Sequence, residues 1–187
     1  AAARVRDTAL PMVYLNRVGG QDELVFDGGS FALDADGAPR LQMAGFTEAT
    51  GRLRLARGPD GRATLETLAG GGDYPAQRED EIWSALVTGL GDYVRGNGFR
   101  EVVLGISGGI DSAVTAALAV DALGAEAVRG VMLPYRHTSP ESRREAERLA
   151  AALGIRLEVV PIAAGLDGAV RTIEMVTGVP LAGLALE

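Results

Sequence analysis

Two residue types are missing from the 187 residues: cysteine and lysine. All 18 basic residues are arginine, and histidine occurs once. Without cysteine there is no disulfide framework, no thiolate nucleophile and no cysteine-based zinc site. One histidine cannot build a multi-histidine metal centre. No apolar run approaches the roughly 20 residues needed to span a bilayer and no signal peptide opens the chain, so the expectation is a cytoplasmic protein with no membrane role. Acidic residues outnumber basic ones 25 to 18, a formal net charge of −7. That balance gives no basic footprint for a nucleic acid.

What is present supports a packed α/β protein, with 47% hydrophobic residues and 23% charged. The first 69 residues read as strands. Pro11 to Leu15, Glu23 to Phe26 and Ser30 to Leu33 are rich in β-formers, and Val18-Gly19-Gly20-Gln21-Asp22 reads as a turn. Arg52-Leu53-Arg54-Leu55 and Ala63 to Leu68 alternate around Gly58-Pro59-Asp60-Gly61, which predicts a hairpin. Gly70-Gly71-Gly72-Asp73-Tyr74-Pro75 breaks the composition, so 70–77 reads as a linker.

From Arg78 the period becomes helical. Ile82, Leu86, Leu90 and Tyr93-Val94 fall on one face, with Trp83 and Tyr93 expected to pack, until Gly96-Asn97-Gly98. A strand over Glu101 to Ile106 follows, then a helix closed by Gly124 and a strand over Ala127 to Leu133. Next comes a helix capped by Ser139 with Pro140 in its first turn and stopped at Gly154, and a third strand over Arg156 to Val160. Alternating strands and helices of this length predict a parallel sheet covered on both faces, with ligands at the carboxyl ends of its strands.

One stretch carries chemistry. Val102-Val103-Leu104 leads into Gly105-Ile106-Ser107-Gly108-Gly109-Ile110-Asp111-Ser112, and an alanine-rich helical run follows. Strand, glycine turn and helix in that order make an anion site. The first backbone N–H groups of a helix have no internal partner, and the helix dipole adds to their pull. Gly108 and Gly109 let the backbone approach a phosphate, Ser107 and Ser112 add hydroxyls, and Asp111 offers a carboxylate to a hard cation such as Mg²⁺. The usual phosphate loop ends in Gly-Lys-Ser/Thr, and a chain without lysine cannot supply it. The dinucleotide fingerprint G-x-G-x-x-G is absent as well.

Ser107 to Ser112 resembles instead the S-G-G-x-D-S signature of the N-type ATP pyrophosphatases, the PP-loop enzymes, which cleave ATP between its α and β phosphates and adenylate a substrate. The segment from Val13 to Phe31 resembles the closing part of the nitrilase-like glutaminase domain of bacterial glutamine-dependent NAD⁺ synthetases. Leu133-Pro134-Tyr135-Arg136-His137-Thr138-Ser139 is similar to the loop after the second strand of their synthetase domain.

The resemblance implies the end of a nitrilase-like α-β-β-α domain at 1–69, a linker at 70–77 and the first half of a Rossmann-like PP-loop domain at 78–187. It implies amidation of nicotinic acid adenine dinucleotide with ATP and Mg²⁺, ammonia from glutamine, and a homo-oligomer. Ser107, Gly108, Gly109 and Ser112 would cradle pyrophosphate within an ATP site formed by Gly105 to Ser112, and Asp111 would hold the metal. Met132 and Leu133 would lie near the adenine. The family's glutaminase uses a cysteine, a lysine and a glutamate, so that chemistry is not expected within these residues. The chain begins with Ala1-Ala2-Ala3 and stops at Leu186-Glu187, and reads as an internal piece with no activity of its own.

Plainer readings stand beside these. Asp111 could cap its helix. His137 reads as a surface residue, the cluster Asp22, Glu23 and Asp27 as solvated, and Arg143-Arg144 with Glu145 and Glu147 as an exposed helix face. Rival functions are another PP-loop amidotransferase, a non-catalytic nucleotide-binding module, and an ordinary phosphate-loop ATPase that the missing lysine disfavours.

Overall fold

The computed structural model describes residues 1–136 and 138–180, so His137 and the last seven residues lie outside the described residues. Two compact units emerge, one over Ala1–Phe99 and one beginning at Arg100.

The first unit holds α1 (Ala2–Thr8), seven short strands and α2 (Arg78–Gly96). The strands are β1 (Met12–Tyr14), β2 (Val18–Gln21), β3 (Leu24–Asp27), β4 (Phe31–Leu33), β5 (Pro39–Gln42), β6 (Arg52–Arg57) and β7 (Ala63–Ala69). They pair antiparallel as β1-β4-β5, β2-β3 and β6-β7. The hairpin expected around Gly58 to Gly61 is β6-β7. Val18 to Gln21 is strand rather than turn, and the reversal falls at Asp22, whose φ is +53°.

The glycines of β2 explain its pairing and its place. A Cβ on Gly20 would lie 3.1 Å from the Gly89 Cα of α2, so helix and strand meet backbone to backbone. The Gly20 N–H donates to the Asp92 carboxylate at 2.7 Å. Gly89 and Asp92 therefore face the hairpin. Val94 is buried, whereas Ile82, Leu86 and Tyr93 of the expected apolar stripe stay about half exposed or more.

Asp34 is the one buried charged side chain among the described residues. Its Oδ1 accepts from the Ala35 and Leu65 N–H groups, and its Oδ2 from Arg40. Burial pushes its carboxyl up, but the Arg40 and backbone hydrogen bonds outweigh that and hold it below the usual aspartate range. Asp27 is also held rather than solvated, accepting from Asn16 Nδ2 and the Tyr74 hydroxyl at 2.6 Å each.

The second unit contains β8 (Val102–Gly105), α3 (Ile110–Leu123), β9 (Val128–Met132), α4 (Pro140–Leu153), β10 (Arg156–Val159) and α5 (Ala163–Thr177). Its sheet is parallel throughout, in the order β10-β9-β8. Gly130 sits in the middle strand, where a Cβ would come within 3.0 Å of Ile106 and 3.2 Å of Leu157. Ala116, Ala119 and Ala122 of α3 and Ala146 and Ala150 of α4 are buried at helical spacing, small enough for close packing. Ser139 caps α4 by accepting from the Ser142 N–H at 3.0 Å, a contact worth about 1 kcal/mol. Gly154 closes that helix in the left-handed conformation. No described helix is long and apolar enough to cross a membrane.

Candidate nucleotide site

Register decides where the loops of the sheet end up. Gly105, the last residue of β8, pairs with Val131, and the Ile106 N–H donates to the Val131 carbonyl at 2.9 Å. The two strands stop level with each other, which puts the glycine loop and the loop after Met132 on one edge of the sheet. Between them lies a cleft of about 440 Å³.

Of the residues singled out from the sequence, Gly105, Ile106, Ser107, Met132 and Leu133 line this cleft. Gly108, Gly109, Ile110, Asp111 and Ser112 form the turn and first helical positions behind Ser107. Met132 is buried, while Leu133 is 51% exposed. Ile110 is exposed and lies outside the lining.

The loop is shaped by its serines. Ser107 Oγ and Ser112 Oγ lie 3.2 Å apart, and Ser112 Oγ donates to the Gly109 carbonyl at 2.9 Å. The Ser107 and Gly109 N–H groups donate to serine hydroxyls at 3.3 Å, long contacts that a stronger acceptor can displace. Helix α3 has Gly109 as its N-cap residue and no side-chain cap. Among the described residues, the N–H groups of Gly108, Ile110, Asp111 and Ser112 meet no acceptor. Asp111 therefore does not act as the cap. The start of α3 keeps its unpaired donors and the positive end of its dipole.

Gly108 is required where it stands. Its φ is +82°, and an added Cβ would come within 2.6 Å of the Ser142 carbonyl oxygen and 3.1 Å of the Ser142 Cα. The first turn of α4 is thus packed onto the glycine loop. The sequence marks Thr138 and Ser139 as the end of a family-like loop and the start of a helix and does not single out Ser142, yet all three line the cleft with Val131. Ser139 is legible as a cap, and the shared sheet edge makes it a cleft residue as well.

A further contact joins two residues of that loop to an aspartate that the sequence does not mark. The Tyr135 hydroxyl and Arg136 Nη2 both donate to Asp167 Oδ1, at 3.0 and 2.6 Å. The hydrogen bond from Tyr135, joined by that from Arg136 and by the charges of Arg136 and Arg171, outweighs partial burial and holds the Asp167 carboxyl below its usual range. Burial and the same bond push the Tyr135 hydroxyl up.

The first unit has a larger cavity of about 540 Å³, bordered by Tyr14, Asn16, Ser30, Phe31 and Met43. No helix start with unpaired N–H groups opens onto it, so the cleft of the second unit is the candidate site.

This chain is similar to proteins of one family. The model of the NAD synthase family matches residues 82–176. A glutamine-dependent NAD(+) synthetase of Rhodobacter capsulatus is 49% identical over 162 residues, 86% of this chain and 28% of that protein. Its counterpart from Synechocystis sp. is 41% identical over 153 residues, 82% of this chain and 27% of that protein. Among solved structures, the glutamine-dependent NAD+ synthetase from Acinetobacter baumannii in complex with adenosine diphosphate superposes with a TM-score of 0.85 at 35% identity. That match covers 99% of this chain and 34% of the other. The chain accordingly spans between a quarter and about a third of the length of these relatives. The family match takes in more than half of the chain and includes the strand, glycine turn and helix that form the cleft: this chain belongs to the NAD synthase family.

Proposed function

We propose that this chain supplies the ATP-binding part of a glutamine-dependent NAD⁺ synthetase, in a polypeptide of its relatives' length. The single observation that carries the reading is the uncapped start of α3 behind a lysine-free Ser-Gly-Gly turn, at the mouth of a cleft walled by Met132 and Leu133. The name and bound nucleotide of the Acinetobacter baumannii structure support it.

In the proposed reaction, a carboxylate oxygen of nicotinic acid adenine dinucleotide attacks the α-phosphorus of ATP. The bond to the bridging oxygen breaks and pyrophosphate leaves. Ammonia released from glutamine then attacks the acyl carbon, expels AMP and gives up a proton, leaving the amide of NAD⁺. Ser107, Gly108, Gly109 and Ser112 hold the departing pyrophosphate through N–H and hydroxyl donors fixed before the reaction starts. Ile106 and Gly105 set the depth of the loop, and Met132 and Leu133 lie along the base.

Asp111 is a lone exposed carboxylate, and no group of three or more acidic or histidine side chains gathers among the described residues. Such a donor set fits Mg²⁺ carried in with its nucleotide, with water and phosphate oxygens completing the shell. Bound there, the ion would neutralise charge on the phosphates.

We assign 1–69 to the end of a nitrilase-like glutaminase domain, 70–77 to a linker and 78–187 to the first half of the synthetase domain. By packing, α2 belongs with the first unit, while the family match from residue 82 supports placing it by descent with the second. A cytoplasmic homo-oligomer completes the reading.

The deciding experiment identifies the phosphate product of the relatives-length protein. Pyrophosphate and AMP that appear only with nicotinic acid adenine dinucleotide support the proposal. Orthophosphate and ADP would point to a simple ATPase, and dependence on a different carboxylate would point to another amidotransferase. Binding without turnover would leave only a nucleotide-binding module.

A further inference from the structure

The loop that walls the cleft after β9 is fastened from the side away from the glycine turn. Within it, the Tyr135 N–H donates to Thr138 Oγ1 at 3.0 Å and the Thr138 N–H donates back to the Tyr135 carbonyl at 2.9 Å. The Pro134 carbonyl accepts from the Ile162 N–H at 3.3 Å, one residue before α5 begins. The Tyr135 hydroxyl and Arg136 Nη2 then converge on the same oxygen, Asp167 Oδ1, in the second turn of α5. The Arg136 guanidinium lies 4.8 Å over the Tyr135 ring, so both donors approach as one unit. Asp167 itself does not border the cleft, but Leu133 and Thr138, at the two ends of the fastened turn, do.

We infer that Asp167 is a positioning residue for the nucleotide. By gathering both donors of the loop onto one oxygen, it holds the shape that lays Leu133, Thr138 and Ser139 along the cleft. The inference rests on the reading of that cleft as the ATP site.

The strength of the fastening decides what its loss does. Arg136 and Asp167 are 56% and 35% exposed, so their pair is a partly solvated one of modest strength. The Tyr135 bond to a charged acceptor adds to it. That is too little to carry the fold, and enough to set how much of the time a short loop is in one conformation. When only a fraction of molecules has the loop in place, apparent affinity falls by that fraction, while molecules that do bind react normally.

The test uses the relatives-length protein with three substitutions, Asp167→Ala, Asp167→Asn and Arg136→Met. Asp167→Ala is expected to raise KM for ATP, and Kd for a non-hydrolysable ATP analogue, by about three- to tenfold. Over the same comparison kcat and KM for the dinucleotide stay within about twofold. Asp167→Asn falls between, since its amide oxygen still accepts from Tyr135 while the ion pair is lost. Arg136→Met combined with Asp167→Ala adds little beyond the stronger single change, because both act on one contact. Amide exchange at Tyr135 should quicken in Asp167→Ala, with the melting temperature close to that of the unaltered protein.

Unchanged ATP affinity in Asp167→Ala, or a fall in kcat with KM unmoved, overturns the inference while pyrophosphate release by the unaltered protein still upholds the ATP reading. Failure of the unaltered protein to bind ATP overturns both. Should Asp167→Ala not fold, Asp167→Asn and Arg136→Met carry the same comparison.

Discussion

Alanine in place of Gly108 is the sharpest perturbation this molecule offers, because two separate costs fall on one methyl group. At φ +82° an L-residue is strained by about 1–3 kcal/mol. The new Cβ would also stand 2.6 Å from the Ser142 carbonyl oxygen, a backbone atom on the first turn of α4 that cannot swing aside as a side-chain tip does. Overpacking of that kind adds about 1–3 kcal/mol. With partial relief by loop movement, the sum is about 2–5 kcal/mol, or a fall in melting temperature of about 5–15 °C for a chain of this size. Gly105→Ala is the matched control: it lies three residues away, its φ is ordinary, and an added Cβ meets nothing within 4 Å. It should melt within about 2 °C of the unaltered chain, or slightly above it. Thermal unfolding by circular dichroism, with ATP affinity measured beside it, separates the two. A Gly108→Ala chain that melts and binds like the unaltered one would show that the glycine loop and α4 are not in contact as described, and the shape of the cleft would go with it.

Substitutions at two other residues test different parts of the molecule. Asp111→Ala should cut pyrophosphate release at least about a hundredfold and weaken its Mg²⁺ dependence, while stability changes by no more than about 0.5 kcal/mol for so exposed a side chain; an unaffected rate in a Mg²⁺ titration removes Asp111 from the site. Asp34 ties stability to pH: its folded carboxyl releases its proton more readily than an unfolded one at 3.8, so its contribution is full above that value and is lost as the pH falls through the folded value. Asp34→Asn should therefore flatten the acid limb of a melting-temperature profile below about pH 4, and Asp34→Ala should cost about 1–3 kcal/mol by leaving the buried Leu65 N–H without its acceptor. Acid limbs that coincide for Asp34→Asn and the unaltered chain would refute this.

Much of the second unit is legible in the residues. Its strands carry β-branched runs, its helices are punctuated by Ser139-Pro140, Gly124 and Gly154, and the glycine turn falls where a strand must become a helix. Those signals are local, so a linear reading reaches them. The misreadings have a common cause in contacts between distant residues. Gly19 and Gly20 have low strand propensity, yet Gly20 lies against the backbone of a helix some seventy positions away and Gly19 against its Asp92 carboxylate, approaches that no local pattern encodes. The expected apolar face of α2 is turned aside by that same seat. Helix α5 leaves little trace in the sequence, since Gly165 and Gly168 weaken its helical signal. Asp167 meets Tyr135 and Arg136 across more than thirty residues, a spacing that no local period encodes. Thr138 and Ser142 become cleft residues only because the ends of β8 and β9 are level.

The seat of α2 on β2 matters to anyone who would divide this polypeptide for expression. Cutting at the glycine run near residue 70, where composition invites a cut, would strip the helix from its floor. The Asp92 carboxylate would lose its backbone donor, and a groove made to fit a bare peptide would be left open to water. Scissors placed after Phe99 would spare both.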